Sequence, residues 1–172
     1  INTLEGERCP ICGKDSLTLM EARRDIPYFG VVYVFSMTCS ECKYHKADLE
    51  SEEEHDPVEV SITVDSEEDM NIRMVRSSMG EIKIPRMMTI EPGEDADGFV
   101  TNIEGLLTRV KKMLEFERDN TDDKSDQKKL KNMLKKLQRV MWGQDSLKIT
   151  LKDPTGNSMI ISEKAEIKKG KK

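Results

Sequence analysis

Four cysteines constrain this chain more than any other feature. They stand as two Cys-x-x-Cys pairs, Cys9 with Cys12 and Cys39 with Cys42, and 26 residues separate the pairs. Two residues between cysteines let both sulfurs reach one ion at about 2.3 Å. The intervening length suits a β-hairpin excursion, which is the layout of a zinc ribbon. Gly13 follows the first pair, where such a turn often needs a positive φ. Lys43 takes that place after the second pair, so the second turn is expected to differ slightly. Two disulfides would need an oxidising compartment. A redox pair would need a Cys-x-x-Cys at the start of a helix, whereas both pairs here adjoin strand-like segments. A Cys₄ set also accepts an iron–sulfur cluster. Read as zinc, the four thiolates close the coordination sphere and leave no place for a catalytic water, so the single ion is structural.

The rest of the composition narrows the class. Hydrophobic residues make up 36% and charged residues 35%, which supports a modest core under a heavily charged surface. Aromatics are scarce at 5% and Met numbers 11, so that core is aliphatic and thioether. No run approaches the ~20 apolar residues of a membrane span. The first seven residues have neither the basic nor the apolar region of a signal peptide. The expectation is a cytoplasmic protein without a membrane partner. Charge is uneven: residues 51–100 carry 4 basic and 14 acidic side chains, residues 101–172 carry 18 and 11. Solvated faces are the default explanation, with charge-complementary partners as the alternative.

Two domains are read, 1–50 and 51–172. In the first, Leu17, Leu19 and Glu21 begin a strand, Arg24 to Pro27 reads as a turn, and Val31 to Met37 is a β-branched strand running into the second cysteine pair. Glu50 to Asp56 is a charge run read as a linker or exposed loop. Val58, Val60, Ile62 and Val64 then alternate with polar residues at a period of two. Met70, Ile72, Met74 and Met79 follow more loosely, and Ile82 to Ile84 is a short strand stopped by Pro85.

A helical hairpin is expected at about 101–142. Thr101 and Glu104 have capping-box spacing. Ile103, Leu106, Leu107, Val110, Met113 and Leu114 make one stripe. Ser125 is a candidate cap for a second helix striped by Leu130, Met133, Leu134, Leu137, Val140 and Met141, with Gly143 at its stop and Trp142 packing where the hairpin joins the β domain. Leu147 to Leu151 and Met159 to Ile161 return to strand. Asn157 and Ser158 read as turn residues, and Lys168 to Lys172 as a basic tail.

No phosphate loop, dinucleotide fingerprint or nucleophile elbow is present. His45 and His55 read as solvated. These observations point to a binding protein rather than an enzyme.

Several blocks together resemble the ZPR-type zinc-finger family: Cys9-Pro-Ile-Cys12, Asp25 to Phe29, Ser36 to Cys42, Ser77 to Pro85, Thr101 to Leu107 and Asp153 to Ser158. Eukaryotic members carry the module twice; this chain has one copy, like archaeal relatives. The resemblance implies a mainly β fold with α: a zinc ribbon followed by a double-stranded β-helix with an inserted α-helical hairpin. It implies a protein partner, the GTPase translation elongation factor 1-alpha, bound in a folding or assembly role. Candidate contacts are Ile26, Tyr28 and Phe29, since a ribbon has little interior; packing against the knuckles or the β domain is the competing role. Nucleic-acid binding is the alternative function. It is disfavoured because the ribbon is acidic and the second helix, though rich in Lys, lacks interleaved aromatics. A zinc or redox sensor fits poorly with a closed site.

Overall fold

A computed structural model describes residues 1–169; Lys171 and Lys172 of the basic tail lie outside the described residues. The first fifty residues form a four-stranded antiparallel meander: β1 (Asn2–Glu7), β2 (Leu17–Ile26), β3 (Gly30–Cys39) and β4 (His45–Ser51). Strand β2 continues to Ile26 through the segment expected to turn. The reversal instead falls at Pro27-Tyr28-Phe29, closed by the Phe29 amide donating to the Ile26 carbonyl at 3.0 Å.

The remainder is a sandwich. It contains β5 (Val58–Val64), a 3₁₀ turn at Glu68–Asn71, β6 (Arg73–Arg76), β7 (Glu81–Ile84), β8 (Met88–Ile90) and β9 (Phe99–Asn102). The hairpin α1 (Ile103–Asn120) and α2 (Lys124–Met141) follows, then β10 (Leu147–Asp153), β11 (Met159–Ile161) and β12 (Glu166–Lys169). One sheet has the order β12-β5-β10-β7-β8, the other β11-β6-β9. Strict alternation in β5 and β10 turns Val60, Ile62, Val64, Ile149 and Leu151 inward. They meet Met74, Ile82, Ile84 and Ile160 from neighbouring strands, with Leu106, Leu107, Val110, Leu137 and Val140 of the hairpin covering the same core. The fold is therefore mainly β with two helices: a ribbon followed by a double-stranded β-helix carrying the hairpin.

Several local expectations are corrected. Thr101 belongs to β9, and Asn102 caps α1 by accepting from the Gly105 amide at 2.8 Å. Asp123, not Ser125, caps α2; its carboxylate accepts from the Ser125 and Asp126 amides. The cap lies one residue later than expected at α1 and two residues earlier at α2, in each case where a side-chain oxygen reaches the free amides. Met70 sits in the 3₁₀ turn rather than a strand. Met113 and Trp142 are exposed, at 44% and 56%: Met113 lies at the edge of the α1 stripe, and Trp142, just past the end of α2, falls on the side opposite that helix's buried stripe. The linker expected from Glu50 to Asp56 is partly strand, and His55 is not simply solvated: its ring stacks on Phe29 at 4.7 Å. Lys168 and Lys169, assigned to a tail, pair in β12.

Candidate metal centre and the seam behind it

The two cysteine knuckles are built alike. In the first, Gly13 N donates to Cys9 O at 2.9 Å and Cys9 N to Lys14 O at 2.8 Å. In the second, Lys43 N donates to Cys39 O at 3.1 Å and Cys39 N to Tyr44 O at 2.8 Å. Lys43 adopts φ +64, close to the +73 of Gly13, so the expected difference between the turns does not arise. Lysine accepts a left-handed backbone that costs an L-residue about 1–2 kcal/mol, because the same two hydrogen bonds must close.

The four sulfurs lie within 4.8 Å of one another. Cys9 and Cys42, and Cys12 and Cys39, are separated by 3.7 Å. A tetrahedron with metal–sulfur bonds of 2.3 Å has an edge of about 3.8 Å, so the donor set fits zinc. Amides support the sulfurs: Ile11 N donates to Cys9 Sγ at 3.4 Å and Cys42 N to Cys39 Sγ at 3.5 Å. The Ser16 hydroxyl, 3.1 Å away, is the main reason the Cys39 thiol is lowered to about 6, with the Cys42 amide next. Cys42 is pushed up to about 11: the Tyr44 amide lowers it, but burial and the neighbouring sulfurs outweigh that. Four cysteines are thus positioned to bind one structural zinc ion, which would replace the thiol protons.

Behind the knuckles the ribbon seals onto the sandwich. Ile26 and Phe29 are buried there with Val32, Leu49 and Val75. Two of the three residues expected as partner contacts therefore face inward, because the seam supplies the apolar cover a ribbon lacks. Tyr28 between them is fully exposed, with φ +67. It stands over a groove of about 450 Å³ whose apolar lining comes from Met159, Ile161 and Ile167.

A polar network that single-residue reasoning missed fastens the same seam. Asp48 of β4 accepts from the Ser78 amide at 2.9 Å and from the Ser78 hydroxyl. The neighbouring Ser77 turns the other way and donates to Asp153, which also accepts from Ser158 and from the Thr155 amide and hydroxyl. Ser158 is buried and also accepts from Ser77 N at 3.0 Å, so it is not a turn residue bonding its own backbone. Arg76, 2% exposed, donates to the carbonyls of Gly80, Glu91 and Asp97 and lies over the Phe99 ring. Burial lowers its pKa, against the pull of Asp97, Asp48 and Asp153. Gly98 lets the backbones touch: a Cβ there would sit 2.9 Å from Asp48 Cα. The available signal was that Ser77 to Pro85 and Asp153 to Ser158 are both blocks of the family resemblance.

Fold and site define a zinc-ribbon protein with a β-sandwich body. A model of the ZPR1 zinc-finger domain matches residues 1–57, and one of the ZPR1 jelly-roll domain matches residues 68–171. The chain is 38% identical to an uncharacterised ZPR1-like protein of Pyrococcus horikoshii, over 94% of this chain and 74% of that one. It is 35% identical to another from Methanocaldococcus jannaschii, over 92% and 81%. A zinc finger chaperone of Schizosaccharomyces pombe is 31% identical over 88% of this chain but only 33% of its own length. The chain belongs to the ZPR1 family.

Proposed function

We propose that this protein is a non-catalytic, cytoplasmic protein-interaction factor that assists the folding or assembly of a GTPase of the elongation factor 1-alpha type. The zinc, held by Cys9, Cys12, Cys39 and Cys42, is its scaffold. The ribbon of residues 1–50 and the β domain of residues 51–172 act as one docking unit. A relative named as a zinc finger chaperone supports the chaperone part of this reading. Among the described residues no helix is long and apolar enough to cross a membrane.

The observation that carries the reading is Tyr28. A bulky side chain in a left-handed turn is strained, and this one is wholly exposed above an apolar groove at the ribbon–sandwich junction. Aromatic anchors of this kind dominate interface energetics. Ile26 and Phe29, on either side, hold the turn rather than touch the partner.

The test is calorimetric titration of the zinc-loaded chain with elongation factor 1-alpha from the same organism, with GTP, with GDP and without nucleotide. Binding is expected, with a loss of at least tenfold for Tyr28→Ser at unchanged zinc content. No binding under any nucleotide condition overturns the partner. Binding indifferent to Tyr28→Ser overturns the surface.

A further inference from the structure

Helix α2 carries seven basic side chains and one acidic residue, Asp126, in a chain whose net charge is -5. Their placement is not random. At 100° per residue, Lys124, Lys128, Lys131, Lys135 and Arg139 fall within an arc of about 80°. Each of the five is exposed, and the arc lies opposite the stripe of Leu130, Leu137 and Val140 that packs into the core. Among the described residues, Lys124, Lys128, Lys131 and Lys135 have no ion pair; Arg139 reaches Asp145 at 3.3 Å. Like charges three and four residues apart repel, so the row is unfavourable to the helix that carries it.

Trp142 extends the same row. It follows Arg139 by three residues and keeps near-helical backbone at φ -85, ψ 0, with its amide donating to Gln138 O. That rotation sets the indole in the middle of the basic arc, which is why it is 56% exposed instead of packed at the domain junction. The row from Lys124 to Trp142 is about 27 Å long.

We propose that this face of α2 binds single-stranded nucleic acid, its cations following the phosphates and Trp142 stacking on a base. A basic track ending in an exposed aromatic is the combination that binds single strands without sequence preference. An acidic protein surface fits less well. Protein interfaces place apolar and aromatic anchors centrally and are depleted in Lys; here no apolar side chain is exposed between Lys124 and Arg139, and four of the five cations are lysine. Lysine binds phosphate as a point charge. This surface is separate from the Tyr28 groove and does not depend on the partner assigned to it.

Trp142 is the only Trp in the chain, so its fluorescence reports on this face directly. The zinc-loaded full chain is titrated with a 20-nucleotide uridine RNA and a thymidine DNA of the same length between 50 and 200 mM KCl. Both are expected to quench Trp142, with log K falling against log salt at a slope of about -3.5, from about 0.7 per phosphate contact over five contacts. Neutralising three lysines (K128Q/K131Q/K135Q) is expected to cut that slope by about 2. Trp142→Ala, followed by anisotropy of labelled oligonucleotide, is expected to weaken binding about tenfold and leave the slope unchanged. Unchanged circular dichroism and zinc content show that the variants fold. Absence of binding at 50 mM KCl overturns the proposal, as does binding that ignores both variants. Preference for polyglutamate would reassign the face to acidic polypeptide, and equal binding of duplex RNA without quenching would remove the single-strand assignment.

Discussion

Asp153 shows how much a single side chain carries here. It is 1% exposed, and its two oxygens accept from Ser77, Ser158 and Thr155. It holds three hydroxyls and one amide in fixed directions, and through Ser77 it sets the turn whose next residue, Ser78, fastens Asp48 of the ribbon. Replacing it strands the buried Ser77 and Ser158 hydroxyls away from water, which costs more than a hydrogen bond contributes. Asp153→Ala is expected to lose about 3 kcal/mol of stability in urea unfolding. A loss below about 1 kcal/mol would show that water replaces the carboxylate and that the seam is held mainly by apolar contact. Lys43 carries a different lesson. A lysine in the place of Gly13 leads one to expect a different turn, yet backbone hydrogen bonding imposes the same positive φ on both residues.

At the scale of elements, the 3₁₀ turn between β5 and β6 depends on a contact with the segment before β12. Lys164 Nζ reaches Asp69 at 2.6 Å and Asp65 at 3.0 Å. Burial alone would raise the Asp69 pKa, but the hydrogen bonds from Lys164 and from the Asp65 amide outweigh it and hold it low. Lys164 is raised, chiefly by its hydrogen bond to Asp69 and then to Asp65. The signs follow from linkage. The Asp69 contribution is present above its ordinary pKa of 3.8 and is lost as pH falls through the lowered value. The Lys164 contribution is present below 10.5 and is lost as pH rises through the raised one. Lys164→Met is expected to lower the thermal midpoint at pH 7, by an amount that shrinks as pH drops below 3.8. Equal gaps at pH 7 and pH 2.5 would rule out an ionic origin. The Lys164 side chain is 42% exposed, so added salt should also narrow the gap.

For the whole molecule, the question is how far zinc stabilises what lies beyond it. Near the metal the ribbon has few buried groups, Cys9, Leu17 and Cys39 with partial cover from Leu19, Met37 and Tyr44. Its far end is anchored by Ile26, Phe29, Val32 and Leu49 against the sandwich. Chelation should therefore act unevenly. Hydrogen exchange followed by mass spectrometry is expected to show early loss of protection at 9–14 and 39–44, while β5 and β10 stay protected. The melting temperature of the whole chain should also fall, because the seam loses part of its support. Uniform loss across both regions would mean that ribbon and sandwich unfold as one unit.

What the chain determines by itself is what short-range pattern encodes. Ligand spacing marks the metal centre, a period of two marks β5 and β10, and helical stripes mark the hairpin, since each depends on residues within a turn or two of one another. Strands β1, β4, β8, β9 and β12 carry no such pattern; they are edge or half-exposed elements, made by the neighbour they pair with. Tertiary structure alone decided that Ile26 and Phe29 face inward while Tyr28 does not. It also decided that Asp48, Ser78, Ser77 and Asp153 form one connected network. In each case the deciding contact or exposure depends on how distant elements pack. Asp48 and Ser78 are 30 residues apart and Ser77 and Asp153 are 76. Burial at that separation is set by how sheets and helices meet, which no local period records.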